Sequence, residues 1–178
     1  MQVFFSIFWW IYFCIFFSGY PLMYVLFYLM RKNKSMHLPL EKILSLLPLS
    51  YAFVATCFWI LMVYTERMNF VVERIASVAP SALVILYSLS ALLFWLPAFR
   101  QNIKLSFLHS LPLFLLAPLN MLLTSLRHKI VHHDYISALC RIYTAGFLIY
   151  IIAIIFLWFW QWIMLHAFSY GQHKHKSE

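Results

Sequence analysis

Long apolar runs separated by short polar breaks dominate the chain, with runs at residues 3–30, 43–64, 78–99, 105–126 and 142–168. An α-helix rises 1.5 Å per residue, so about 20 consecutive apolar residues cross a hydrocarbon layer of roughly 30 Å. Each run meets that length. Within them the apolar residues do not alternate with polar ones. Residues 148–160 are apolar at every position, whereas a membrane β-strand would place polar side chains at every second position. Since lipid offers no hydrogen bonds to the backbone, such runs are helices. The pattern predicts an all-α integral membrane protein with five transmembrane helices and short loops. One domain covers residues 1–168, and a polar tail follows at 169–178.

Proline marks the runs internally. Gly19-Tyr20-Pro21 predicts a kink in the first, Pro48 interrupts the second, Pro80 and Pro97 sit in the end turns of the third, and Pro112 and Pro118 lie inside the fourth. Between the second and third runs, Met68, Val71, Val72 and Ile75 recur at helical spacing with Glu66, Glu73 and Arg74 elsewhere. That segment, 65–77, is expected to form one interfacial amphipathic helix. No Lys or Arg precedes the first run, which is far longer than the apolar part of a signal peptide, so a permanent span is expected there.

Composition supports this reading. Hydrophobic residues make up 65% of the 178, and charged residues only 10%; a soluble domain has about 25% charged residues. The 13 Lys+Arg and 5 Asp+Glu give a net charge of +8. The basic residues are spread over the loops instead of clustering with aromatics on one face, which argues against a nucleic-acid partner. Arg31, Lys32, Lys34, Lys42, Arg100, Lys104, Lys174 and Lys176 fall on one side of the five-span topology. Arg67, Arg74, Arg127, Lys129 and Arg141 fall on the other. The positive-inside bias therefore predicts an outside N-terminus and a cytoplasmic or matrix C-terminus, in a bacterial or organelle inner membrane. Cys14, Cys57 and Cys140 show no pairing logic and are expected to be buried free thiols.

Candidate chemistry is sparse. His128 and His132 are four apart, with Asp134 beside them, as in a metal-binding helical face. The string His128-x-x-x-His132-His133 resembles one histidine box of the membrane di-iron desaturases and hydroxylases. Those enzymes need several boxes, and here the resemblance stops at residues 128–133. His109 and His166 lie near the same end of antiparallel fourth and fifth runs, which makes them a candidate pair for haem b or quinone. No carboxylate lies inside a run, so a proton relay or an acid-base site has no evident equipment. Arg141, which opens the fifth run, and Arg74 are candidates for lipid or partner contact. Ser45, Ser50, Thr56, Ser88, Ser90, Ser110, Asn120, Thr124 and Thr144 are expected to join helices by interhelical hydrogen bonds.

Aromatic residues form 20% of the chain, with Trp9, Trp10, Trp158 and Trp160 placed to meet headgroups or partner helices. Only three glycines occur, so close helix approach is expected only at small pairs such as Ser88-x-x-Ala91, with a loosely self-packed bundle completed by neighbours. Together these features predict a non-catalytic subunit or accessory protein of a larger membrane complex, with lipid and other integral membrane subunits as partners. No cofactor is assigned. The alternatives are a small redox subunit binding haem or quinone, and a small transporter or lipid-handling protein.

Overall fold

A computed structural model describes residues 2–31, 37–65, 79–128 and 132–174. The elements are α1 (Gln2–Arg31), α2 (His37–Thr65), α3 (Ala79–Leu89), a 3-10 segment (Ser90–Trp95), α4 (Pro97–Arg100), α5 (Ile103–His128) and α6 (His132–Lys174). Among the described residues there is no strand. Three helices are long and apolar enough to cross a membrane: 21 residues within α1, 24 within α2 and 29 within α6. Shorter apolar helices occur at Val84–Trp95 and Ile103–Leu116. The amphipathic helix expected at 65–77 lies, from residue 66 on, outside the described residues, as does Arg74.

Ring contacts fix the directions. Phe13 meets Phe58 and Tyr20 meets Tyr51, so α2 runs antiparallel to α1. Gly19 faces Gly146 and Tyr20 meets Tyr150, so α6 runs parallel to α1. On α5, Ser106 reaches Tyr20 while Phe114 reaches Tyr143, which sets α5 antiparallel to α6. The core lies where α1, α2, α5 and α6 converge. Its fully buried side chains include Phe13, Phe17, Tyr20, Tyr51, Phe58 and Tyr150.

The third apolar run is not one α-helix. After Leu89 the backbone tightens into the 3-10 segment, and Leu96 is extended at φ −72°, ψ 135°. The cause of the break is Pro97, whose ring disfavours helical backbone at the residue before it. Pro97 then occupies the first turn of α4, where its missing N–H costs nothing. The other internal prolines do not break their helices: α1, α2 and α5 run on through Pro21, Pro48, Pro112 and Pro118. Each proline deprives the carbonyl four residues earlier of its partner, and in lipid a neighbour must supply one. For Pro118 that carbonyl is Phe114, and the Tyr143 hydroxyl on α6 donates to it over a long 3.3 Å.

Close packing was expected at small pairs such as Ser88-x-x-Ala91. The tightest crossing instead uses two of the three glycines, Gly19 on α1 and Gly146 on α6. A side chain at Gly146 would stand 2.6 Å from the Ile15 carbonyl oxygen and 2.9 Å from the Gly19 nitrogen. One hydrogen-only position on each helix thus lets the backbones touch. The residues that allow close approach are few but placed opposite each other, so the bundle is tightly packed at this level.

Candidate functional site

The polar interior is built around His109 on α5. Tyr51 lies 2.9 Å from its Nδ1, and Ser90 Oγ lies 2.6 Å from its Nε2. Tyr87 stacks on the imidazole, with centroids 4.4 Å apart and planes 3° from parallel, and its hydroxyl donates to the His109 carbonyl at 2.9 Å. Phe94 meets the ring edge-on at 5.6 Å. One turn earlier, Ser106 bonds the Tyr20 hydroxyl at 2.5 Å, and Tyr20 packs on Tyr51 with centroids 4.6 Å apart. Tyr150 completes the aromatic group against Tyr20 at 5.5 Å.

The geometry assigns the protons. Ser90 Oγ is 2.5 Å from the Tyr87 carbonyl, which can only accept, so the serine proton points there. His109 Nε2 must then donate to Ser90, and Nδ1 accepts from the Tyr51 hydroxyl. This is the neutral Nε2–H imidazole with both nitrogens satisfied. A protonated ring would make Nδ1 a donor and leave the fully buried Tyr51 hydroxyl without an acceptor among the described residues. By the same reasoning Ser106 donates to the Ile103 carbonyl at 2.8 Å and receives the Tyr20 proton. The 3-10 segment has a clear role in this network. It carries Ser90 and Phe94 to the imidazole, while Trp95 donates from Nε1 to Thr56 on α2 at 2.8 Å.

Most of the other small hydroxyls do not join helices. Ser45, Ser50, Ser88 and Ser110 each return their proton to the carbonyl three residues earlier in their own helix. The nearest carbonyl is the cheapest acceptor, and it requires no partner helix. Ser90 and Thr56 do bridge segments, as expected, and Ser106 adds a bridge. The Asn120 and Thr124 side chains lie outside the described set, and Thr144 is exposed.

His166, the expected companion of His109, lies elsewhere. It is exposed on α6, its Nδ1 bonds the Trp162 carbonyl at 2.9 Å, and its ring packs on Trp162. Tyr150 marks the level of the His109 cluster on α6, and sixteen residues of helix, about 24 Å, separate it from His166. The two imidazoles are not brought together, and iron ligation by His109 would first require Tyr51 or Ser90 to leave.

His128 is the last residue of α5, and His132 and Asp134 stand at the start of α6. Their side chains lie outside the described set, as do those of Trp9 and Trp10. Among the described residues no three His, Cys, Asp or Glu side chains converge. Arg141 is exposed, as are Trp158 and Trp160. The cysteines are unpaired; Cys14 is buried, but Cys140 is exposed on α6, contrary to the expectation that all three are buried.

The sequence singled out His109, and Ser90 as a bridging hydroxyl, but did not join them to each other or to Tyr51 and Tyr87, because the three partners come from three segments with no shared spacing. What could have flagged them is tyrosine placed deep inside apolar runs, away from the interfacial belts where tyrosine usually sits. No family model, curated protein or solved structure matches the chain, so the cluster's role follows from its own geometry.

Proposed function

We propose that the chain is a five-pass, non-catalytic integral membrane protein that works as a subunit or accessory of a larger membrane complex. The exposure of α6 carries this reading. Of the three long helices α6 is the least covered, with 28% of its apolar window buried against 61% for α2. Its open surface presents Phe156, Trp158, Phe159, Trp160 and Trp162. Large rigid rings bury much area at little entropic cost and are enriched where proteins meet.

Length supports a crossing by the third segment as well. Eleven α-helical residues followed by six at the longer 3-10 rise reach about 28 Å, close to the hydrocarbon thickness. Unwinding into 3-10 geometry lets a short segment reach farther than the same residues would as an α-helix. Five crossings put the termini on opposite sides, and the distribution of Lys and Arg favours an outside N-terminus. The polar interior supports a structural role: His109 has both ring nitrogens bonded within the chain, which leaves no free lone pair for a substrate.

A pull-down of the tagged full chain from native membranes in mild detergent tests this function. Stoichiometric co-purification of other membrane chains, abolished by Trp158→Ala with Trp162→Ala, is the expected result. A lone monomer under all mild conditions refutes it.

A further inference from the structure

We infer that the groove between α2, α4 and α6 is a binding site for an anionic phospholipid, with Arg100 holding the headgroup phosphate and the apolar wall holding an acyl chain. The groove has a volume of about 720 Å³ and is open on one side. Volumes of roughly 300–1,000 Å³ are usual for sites that bind small molecules. One wall is a run of stacked rings: Phe53 on Phe156 with centroids 5.2 Å apart and planes 21° apart, then Phe156 on Trp160 at 6.5 Å and 19°. Leu49 and Trp95 face into the same space. An extended hydrocarbon chain suits such a flat, dry wall, and a folded polar metabolite does not.

The polar end of the groove selects the headgroup. Arg100 and Gln161 line it, and no ion pair to Arg100 occurs among the described residues. An arginine beside this apolar wall pairs with the two free oxygens of a phosphate diester, and a headgroup that carries no cation of its own leaves that negative charge open to it. Exposed Lys104, in the first turn of α5, adds positive charge near the same turn. Basic residues between transmembrane helices are a recurrent setting for anionic lipid headgroups. The 3-10 segment and the Leu96 bend explain why the site exists. The Leu96 bend turns the chain into α4, whose Arg100 lines the groove together with Trp160.

This inference rests on the chain lying in a bilayer but not on its membership of a complex, and resistance to carbonate extraction tests the bilayer placement separately. The experiment is a titration of the full chain, in neutral detergent, with phosphatidylglycerol or phosphatidylcholine carrying identical brominated acyl chains, read by quenching of tryptophan fluorescence. Trp95 and Trp160 report on the groove. The wild-type chain should bind phosphatidylglycerol roughly fivefold more tightly than phosphatidylcholine, the ratio set by one charged contact at a membrane surface. Arg100→Gln should abolish that preference, and Arg100→Lys should keep most of it, with helical circular dichroism unchanged in both. Trp160→Phe should reduce the quenching. Equal affinity for the two lipids, or a preference that survives Arg100→Gln, overturns the proposal. So does displacement of the lipid by millimolar inorganic phosphate, which would mark an anion site with no place for a chain. A photo-crosslinker at Met164 should capture lipid in native membranes, and capture of a second copy or another protein instead also overturns it.

Discussion

Replacing Gly19 by alanine places a methyl group against the backbone of α6, where the three nearest atoms are the Gly146 carbonyl carbon and oxygen and the Phe147 nitrogen. None of these can rotate away. The Phe147 nitrogen would stand 2.7 Å from the new carbon, while ordinary contact begins at 3.4 Å. The Gly146 carbonyl stands closer still, so the helices must separate locally by more than about 0.7 Å, and a gap of that size forfeits at least a quarter to a half of each dispersion well along the crossing. Overpacking of this kind costs about 1–3 kcal/mol. The helix preference of alanine over glycine returns up to about 1 kcal/mol. Because every neighbour is backbone, the clash belongs at the upper end, and the expected net loss is about 2 kcal/mol. Reversible unfolding of the purified chain in mixed micelles, followed by circular dichroism, measures it. Leu148→Ala, at a position 51% exposed on α6, is the control and should change stability by less than about 0.5 kcal/mol. In the double variant with Gly146→Ala the second substitution should cost less than the first, since both open the same gap. Wild-type or greater stability for Gly19→Ala would refute the close crossing.

The Tyr51 and Tyr150 hydroxyls offer a contrast within one cluster. Tyr51→Phe leaves His109 Nδ1 without its donor and should cost about 1–3 kcal/mol, whereas Tyr150→Phe removes a buried hydroxyl that has no partner among the described residues and should be neutral or stabilising; equal losses in the two would refute the proton assignment. Tyr143→Phe should cost about 0.5–1.5 kcal/mol by orphaning the Phe114 carbonyl, and replacing Pro118 by alanine in that background should recover most of the loss by restoring an N–H inside α5. For topology, a membrane-impermeant maleimide should label exposed Cys140, next to Arg141, from the side on which an N-terminal tag is reached, and should leave buried Cys14 unlabelled. Reaction from the side of a C-terminal tag would eliminate a single crossing by α6 after residue 140.

The long helices are legible in the sequence because crossing length depends on local composition alone, and α1, α2 and α6 each carry an uninterrupted apolar window. The bend before Pro97 is legible too, since proline acts on its own neighbour. The 3-10 geometry at Ser90–Trp95 is not: SALLFW suits an α-helix equally well, and the contacts of Ser90 and Phe94 with His109, across nineteen and fifteen residues, draw it tight. Gly19 is visible as an oddity of the first run but reads as part of a kink, because its partner Gly146 lies on the last helix. His109 stands out as a lone imidazole in an apolar run. Its neutral, doubly bonded state could be seen only once Tyr51 and Ser90 were placed beside it.

The membership of the His109 cluster also bears on the order of assembly. All of its hydrogen-bonding side chains come from α1, α2, α3, the 3-10 segment and α5. Tyr150, the contribution of α6, brings only its ring. As a chain made from its N-terminus enters the bilayer, the polar groups of Ser90 and His109 therefore find their partners before the last helix has been synthesised. α6 then docks beside this closed centre by shape, at the Gly19 crossing and through its rings, with the Tyr143 hydroxyl donating to the Phe114 carbonyl. A ribosome-bound chain stopped before α6 would already hold its polar centre closed, and the final helix would remain free to choose its neighbours.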